Sequence, residues 1–185
     1  MQLERFGQSF SPLGPRIVIE AECYNITGMT FPSPKHDHRS CTRSIVAHAE
    51  QVCAETGARL TEQRRDVLVC VAESHQAVGA YDIIERMAVH GPRPAPITVY
   101  RALEFLQGQN LVHKIESRNA FVACAERHDG SPAALLICEG CGNVSEVLDR
   151  DAASGLRAAA SSQGFTVKHS VVELSGLCAH CGVVA

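Results

Sequence analysis

Pro96-Ile-Thr-Val-Tyr-Arg-Ala-Leu-Glu-Phe-Leu-Gln-Gly108 opens with a residue whose ring presets the first turn of a helix and closes with one that stops it. Val99, Ala102, Leu103 and Leu106 fall on one stripe at helical spacing, which makes that side the buried one. The other side carries Thr98, Arg101 and Phe105, with Tyr100 at its margin. Directly afterwards, Leu111-Val-His-Lys-Ile-Glu116, a turn at Ser117-Arg-Asn119 and Ala120-Phe-Val-Ala-Cys124 read as a β-hairpin. A helix with a polar N-terminal face followed by a hairpin gives the recognition helix and wing of a winged helix-turn-helix. Thr98 and Arg101 then suit a major groove, where arginine reads guanine or grips phosphate.

Upstream, Pro92-Arg-Pro-Ala-Pro96 is a rigid extended linker. Before it, a helix from about Ala80 to His90 turns Ile83, Ile84 and Met87 inward and leaves Tyr81 outward. Thr61 caps another, with Glu62 in its first turn and Val67, Cys70 and Val71 at core spacing. A first helix starts near Ser44, carries Ile45, Ala49 and Val52 on one stripe, and ends near Gly57. Cys53 and Cys70 lie on these stripes and read as small buried hydrophobes. Residues 1–40 are broken repeatedly by Pro12, Pro15, Pro32, Pro34, Gly7, Gly14 and Gly28, so an irregular tail is expected. His36 and His38 form a small cluster that reads as part of that solvated tail, with a metal site as the alternative, and Met29 reads as an alternative translation start.

Downstream, Cys138-Glu-Gly-Cys141 and Cys178-Ala-His-Cys181 are two CxxC knuckles with 36 residues between them. Each turn offers two thiolates about 2.3 Å from a shared ion, and two pairs complete the tetrahedron of a structural Zn²⁺, with disulfides or scattered core cysteines as the alternative. Gly140, Gly142 and Gly182 supply the backbone angles of such turns. Strands at Ala134–Ile137 and Val144–Leu148, a helix over Asp151–Gln163 and a strand over Phe165–Leu174 surround them. Three strands close a core poorly, so zinc and a partner subunit are expected to complete this unit. The expected class is α+β: an irregular tail (1–42), a winged-helix domain (43–123), a hinge (124–132) and a zinc-stabilised dimerisation domain (133–185).

His113 and Cys124 sit on the two strands of the hairpin, His128 in the loop after it, and Glu146 beyond the first knuckle. One thiolate, two imidazoles and a carboxylate make a tetrahedral zinc set, with the two negative ligands neutralising the ion. The alternatives are a hairpin-surface histidine, a core cysteine and a solvated strand glutamate.

The 185 residues carry a net charge of −3, which speaks against a globally basic nucleic-acid binder. Residues 41–122 hold nine Lys/Arg against nine Asp/Glu, and residues 123–185 hold four against seven. DNA contact therefore falls to a local face of the neutral middle segment, helped by helix N-termini. No apolar run approaches membrane-spanning length and no export signal precedes the nine cysteines, which places the chain in a reducing cytoplasm. A zinc hydrolase or deaminase needs an open metal position; neither HExxH nor HxE with a paired PCxxC occurs, so no enzyme is expected. A zinc-ribbon interaction module would explain the knuckles but not the Thr98–Leu106 helix.

Thr98-Val-Tyr-Arg-Ala-Leu-Glu-Phe-Leu106, Leu111-Val-His-Lys-Ile-Glu-Ser117 and Arg59-Leu-Thr-Glu-Gln-Arg64, together with both knuckles, resemble the ferric-uptake-regulator (Fur) superfamily over residues from about 45 to 182, closest to its zinc-uptake (Zur) branch. The resemblance implies a homodimeric repressor that binds palindromic operators of zinc-uptake genes with Zn²⁺ as corepressor. It implies two zinc ions per chain: a structural one on Cys138, Cys141, Cys178 and Cys181, and a regulatory one on His113, Cys124, His128 and Glu146. His128 lies farther from the first knuckle than the loop histidine of relatives, with Asp129 or water as the alternative donor. DNA-contact roles pass to Tyr81, Tyr100 and Arg101. Ala133-Ala-Leu-Leu136 stands where the iron-sensing branch is histidine-rich. Iron, manganese, nickel or peroxide sensing is the alternative within the superfamily, and Cys124, a soft ligand, argues against it. His169 and His75 carry little weight as ligands, and His180 is expected to face solvent.

Overall fold

The computed structural model describes residue 31 and residues 38–124, 134–147 and 150–182. Four helices come first: α1 (His38–Thr56), α2 (Glu62–Ala72), α3 (Ala80–His90) and α4 (Pro96–Gly108). A short strand β1 (Val78–Gly79) precedes α3, and the hairpin β2 (Val112–Ile115) and β3 (Ala120–Ala123) follows α4. The second half comprises β4 (Ala134–Cys138), β5 (Val144–Val147), α5 (Arg150–Ser162) and β6 (Val172–Gly176).

Thr61 caps α2, its hydroxyl accepting from the Arg64 N–H at 3.4 Å, and Pro96 opens α4. Ile45, Ala49, Cys53, Val67, Leu68, Val71, Ile83, Ile84, Val99, Leu103 and Leu106 share one core with Leu111, Val112 and Phe121 of the wing. Cys53 and Cys70 are buried, as their stripes required. α1 begins six residues before the expected start, because Cys41 extends the Ile45 stripe by one turn. Amid polar neighbours, a single apolar residue gave no periodic signal. β6 is shorter and later than expected: Phe165 is exposed and the ladder forms only from Val172.

The hairpin register decides how the halves meet. β3 lies between β1 and β2, with Val112 opposite Ala123, His113 opposite Val122 and Ile115 opposite Ala120. Cross-strand partners share a face. One face carries Val112, Phe121 and Ala123 into the helical core. The other carries Ile115 and Val122 onto Leu135, Ile137 and Val144 of the second sheet, forming a second core. Every residue of β3 is buried. The second sheet has the order β5-β4-β6, with β4 antiparallel to β5 and parallel to β6. Its Glu173 carboxylate accepts the backbone N–H groups of Glu116 (2.6 Å) and Ser117 (3.2 Å) at the wing tip.

Candidate metal centres and nucleic-acid face

Four sulfurs meet where β4 and β6 end. The two strands run in parallel with Cys138 opposite Gly176, so the turns that follow them emerge at one end of the sheet. In the first turn the Gly142 N–H donates to the Cys138 carbonyl at 2.9 Å, with Gly142 at φ +76. In the second, the N–H groups of Cys181 and Gly182 donate to the Cys178 carbonyl at 2.9 and 2.8 Å. All four Sγ atoms lie within 4.8 Å of one another, and Cys141 and Cys178 stand 3.9 Å apart. Sulfurs on a tetrahedral Zn²⁺ are separated by about 3.8 Å, given Zn–S bonds of about 2.3 Å. Gly140 is demanded by this approach: a Cβ there would sit 2.9 Å from Cys181 Cβ and 3.0 Å from its Sγ.

The thiols are electrostatically unequal. Backbone N–H groups of Cys141 and Cys178 bring Cys138 down to about 6. Hydrogen bonding to the Cys178 thiol, then burial, pushes Cys181 up to about 12, and burial raises Cys141. Negative charge is thus favoured on Cys138 and disfavoured on Cys141 and Cys181. A central divalent cation reverses this, since coordination takes all four as thiolates.

The second cluster follows from the facing sheets. His113 shares a face with Val122, and Glu146 is opposite Leu135 on the face that carries Val144. The apolar contacts that join the halves therefore bring these two polar side chains together at their edge. His113 Nε2 and Glu146 Oε1 are 2.5 Å apart. Cys124, fully buried, is held by its N–H to the Leu111 carbonyl at 3.0 Å, and its Sγ lies 3.5 Å from Glu146 Oε2. The three ligand atoms fall within 4.8 Å of one another. An imidazole, a thiolate and a carboxylate suit zinc, and the anionic pair balances its charge. His128, the expected fourth ligand, and its alternative Asp129 lie outside the described residues.

A third cluster escaped sequence reasoning. His38, Cys41 and His75 also bring one ligand atom each within 4.8 Å. His38 and Cys41 both fell within the expected tail (1–42), and 34 residues separate Cys41 from His75, so no spacing rule signalled the meeting of the three. His169 and His180 are exposed and join none of the clusters among the described residues.

On the helical half, Tyr81 in the first turn of α3 is 65 % exposed, Tyr100 is 38 % exposed, Arg101 is exposed and Thr98 half-buried. Phe105, expected on the same face as Arg101, instead packs partly against the helical core. The Arg64 guanidinium lies 3.5 Å above its ring, a cation–π contact that covers what α4 leaves open.

Residues 55–175 match the Ferric uptake regulator family. The chain is similar to the zinc uptake regulation protein of Escherichia coli (strain K12), 38% identical over 144 residues, spanning 77% of this chain and 84% of that one. Its fold is similar to the structure of a zinc uptake regulator complexed with zinc and DNA (TM-score 0.72, 38% identity, 77% of this chain and 96% of that one). It is also similar to holo XcZur (TM-score 0.68, 41% identity, 76% and 99%).

Proposed function

Because the chain belongs to the ferric uptake regulator family, we propose that it is a zinc-responsive transcriptional repressor whose zinc sensor joins the wing to the second sheet. It is a regulator of transcription and not an enzyme. The observation that carries the sensor is the convergence of His113 and Cys124 from the wing with Glu146 from the second sheet, ligand atoms within 4.8 Å. Zn²⁺ bound there supplies a cross-link and the positive charge that the two acidic ligands need. The chain does the rest: Ile115 and Val122 dock on Leu135 and Ile137, and the ligands at their edge make that docking metal-dependent. An ion that binds only the docked arrangement shifts the population towards it.

The reading takes in two zinc ions per chain, the other on the four knuckle cysteines, with His128 completing the sensor. It divides the chain into a winged-helix half (43–123) and a dimerisation half (133–185). Homodimerisation is supported by the exposed Leu156, Phe165, Leu174 and Leu177 of the second half and by β6 standing at the sheet edge. A dimer sets two α4 helices one DNA turn apart, about 34–36 Å, on a palindromic operator. The operators of zinc-uptake genes are the expected targets, with Thr98, Tyr100, Arg101 and Tyr81 at the DNA. Among the described residues no helix is long and apolar enough to cross a membrane, and the reading keeps the protein in the cytoplasm.

The test is a DNA-binding titration on a palindromic promoter fragment at fixed salt, with free Zn²⁺, Fe²⁺ and Mn²⁺ buffered separately. Binding that rises with zinc and is lost in Cys124→Ser, with the fold intact, is expected. Full-strength zinc-dependent binding by Cys124→Ser would overturn the sensor, and binding driven by iron or manganese would overturn the metal.

A further inference from the structure

We propose that His38, Cys41 and His75 form a further metal site, of zinc-type chemistry, that clamps the start of α1 to the loop between α2 and β1 in the reduced chain. Three observations converge on it. The ligand atoms lie within 4.8 Å of one another, with Cys41 Sγ 4.0 Å from His75 Nε2. The rings of His38 and His75 are 5.0 Å apart between centroids and tilted by 48°, so they converge without stacking. Cys41 and His75 are 1 % and 4 % exposed, so two of the three donors are shielded from bulk water.

The donor set fits a borderline-soft divalent ion: two imidazoles and one thiolate are three of the four ligands zinc takes, with water for the fourth. A thiolate and an imidazole on one zinc ion lie about 3.6 Å apart, from bonds of about 2.3 and 2.0 Å, so the observed 4.0 Å needs only a small inward movement. Cys41 is disulfide-bonded in this structure, and a disulfide sulfur is no thiolate. The metal-binding state is therefore the reduced one, the state of thiols in reducing compartments.

The position gives the site a consequence. The His75 carbonyl accepts the Val144 N–H at 2.9 Å, Gln76 bridges to Asn143, and Gln76 Nε2 donates to the Cys141 carbonyl at 2.7 Å. Two successive residues, His75 and Gln76, thus hold the first knuckle through backbone and side-chain bonds, while the His75 ring faces the proposed ion. Thr42 Oγ1, one residue from Cys41, donates to the Ala72 carbonyl at the end of α2. An ion on His38, Cys41 and His75 fixes the helical half against the zinc half at a point distinct from His113, Cys124 and Glu146. This inference is independent of the sensor reading.

The experiment uses the full chain, reduced with a phosphine that leaves metals in solution, loaded with Zn²⁺ and desalted. Metal per chain is counted for the wild type, Cys41→Ser, His75→Ala and His38→Ala, with Cys124→Ser as a variant of a different cluster. Cys41→Ser and His75→Ala are expected to carry one ion fewer than the wild type. Combining either with Cys124→Ser is expected to remove a second. Loaded with Co²⁺, Cys41→Ser should lose part of the thiolate-to-cobalt charge-transfer band, and wild-type backbone amides over residues 73–77 should exchange more slowly with metal than without. His38 lies at the helix end, so His38→Ala keeps the fold if His75→Ala melts early. A wild-type metal count in folded His38→Ala and Cys41→Ser, with unchanged exchange at 73–77, would overturn the site.

Discussion

The knuckle cluster and the cluster at the wing are built from the same chemistry in opposite ways. Each knuckle is a local turn, closed by hydrogen bonds from Gly142 to Cys138 and from Cys181 and Gly182 to Cys178. A single parallel strand pair then sets the two turns side by side. His113, Cys124 and Glu146 share no local turn. They meet only when the hairpin and the second sheet press Ile115 and Val122 against Leu135, Ile137 and Val144. Ligands fixed by their own strand ends suit an ion that stays; ligands on two facing surfaces suit an ion whose binding depends on how the surfaces stand. In the proposed reading, permanence and responsiveness follow from where the donors sit.

The strongest way to break this contrast is Cys138→Ser. Structural zinc contributes on the order of 10 kcal/mol to small domains of this kind. The variant is expected to lose slow amide exchange over residues 134–176, and unchanged protection there would defeat the structural role. Cys124→Ser should do the reverse, leaving melting near wild type while zinc affinity in a chelator competition falls by about 100-fold or more, about 2.7 kcal/mol. A large drop in melting temperature would erase the distinction between the clusters. Gly140→Ala sharpens it from the packing side. The new Cβ would meet Cys181 Cβ at 2.9 Å, so a loss of about 1–3 kcal/mol is expected in denaturant unfolding, with faster zinc release from the knuckles alone.

The smallest effect tests the seam between the halves. Burial raises the Glu173 carboxyl, but the Ser117 hydroxyl, the N–H groups of Glu116 and Ser117, and Arg118 outweigh it, leaving the group below its ordinary value. A lowered folded-state pKa gives stability that is present above the unfolded value, about 4.3, and lost as pH falls through the folded one. Glu173→Gln is therefore expected to cost about 1 kcal/mol near neutrality. The difference from wild type, read by denaturant unfolding across pH, should vanish in acid; a constant difference would reject the charge as its source.

Much of this was legible because it is local. Two CxxC turns announce themselves within four residues each, and the Val99–Leu106 stripe sets which face of α4 is buried. Pairing His113 with Cys124 and Glu146 needed more, since their encounter depends on register across two sheets, and the family resemblance supplied what spacing alone left open. β1 is two residues long, too short for any alternation to show. The cluster of His38, Cys41 and His75 joins a helix end to a distant loop, and nothing periodic connects them. Phe105 misled because a helical wheel sees only its own helix, while the ring is covered by Arg64 from α2.

β3 has no solvent side: each of its four residues is buried, one face in the helical core and the other against the second sheet. The chain's two halves consequently share a wall and are not interchangeable modules. A cut between residues 124 and 134 would leave Ile115 and Val122 bare on one fragment and Leu135 and Ile137 bare on the other. Grafting this second half onto an unrelated DNA-binding unit would have to carry the hairpin with it, so the heritable, transferable piece of this architecture begins at the wing.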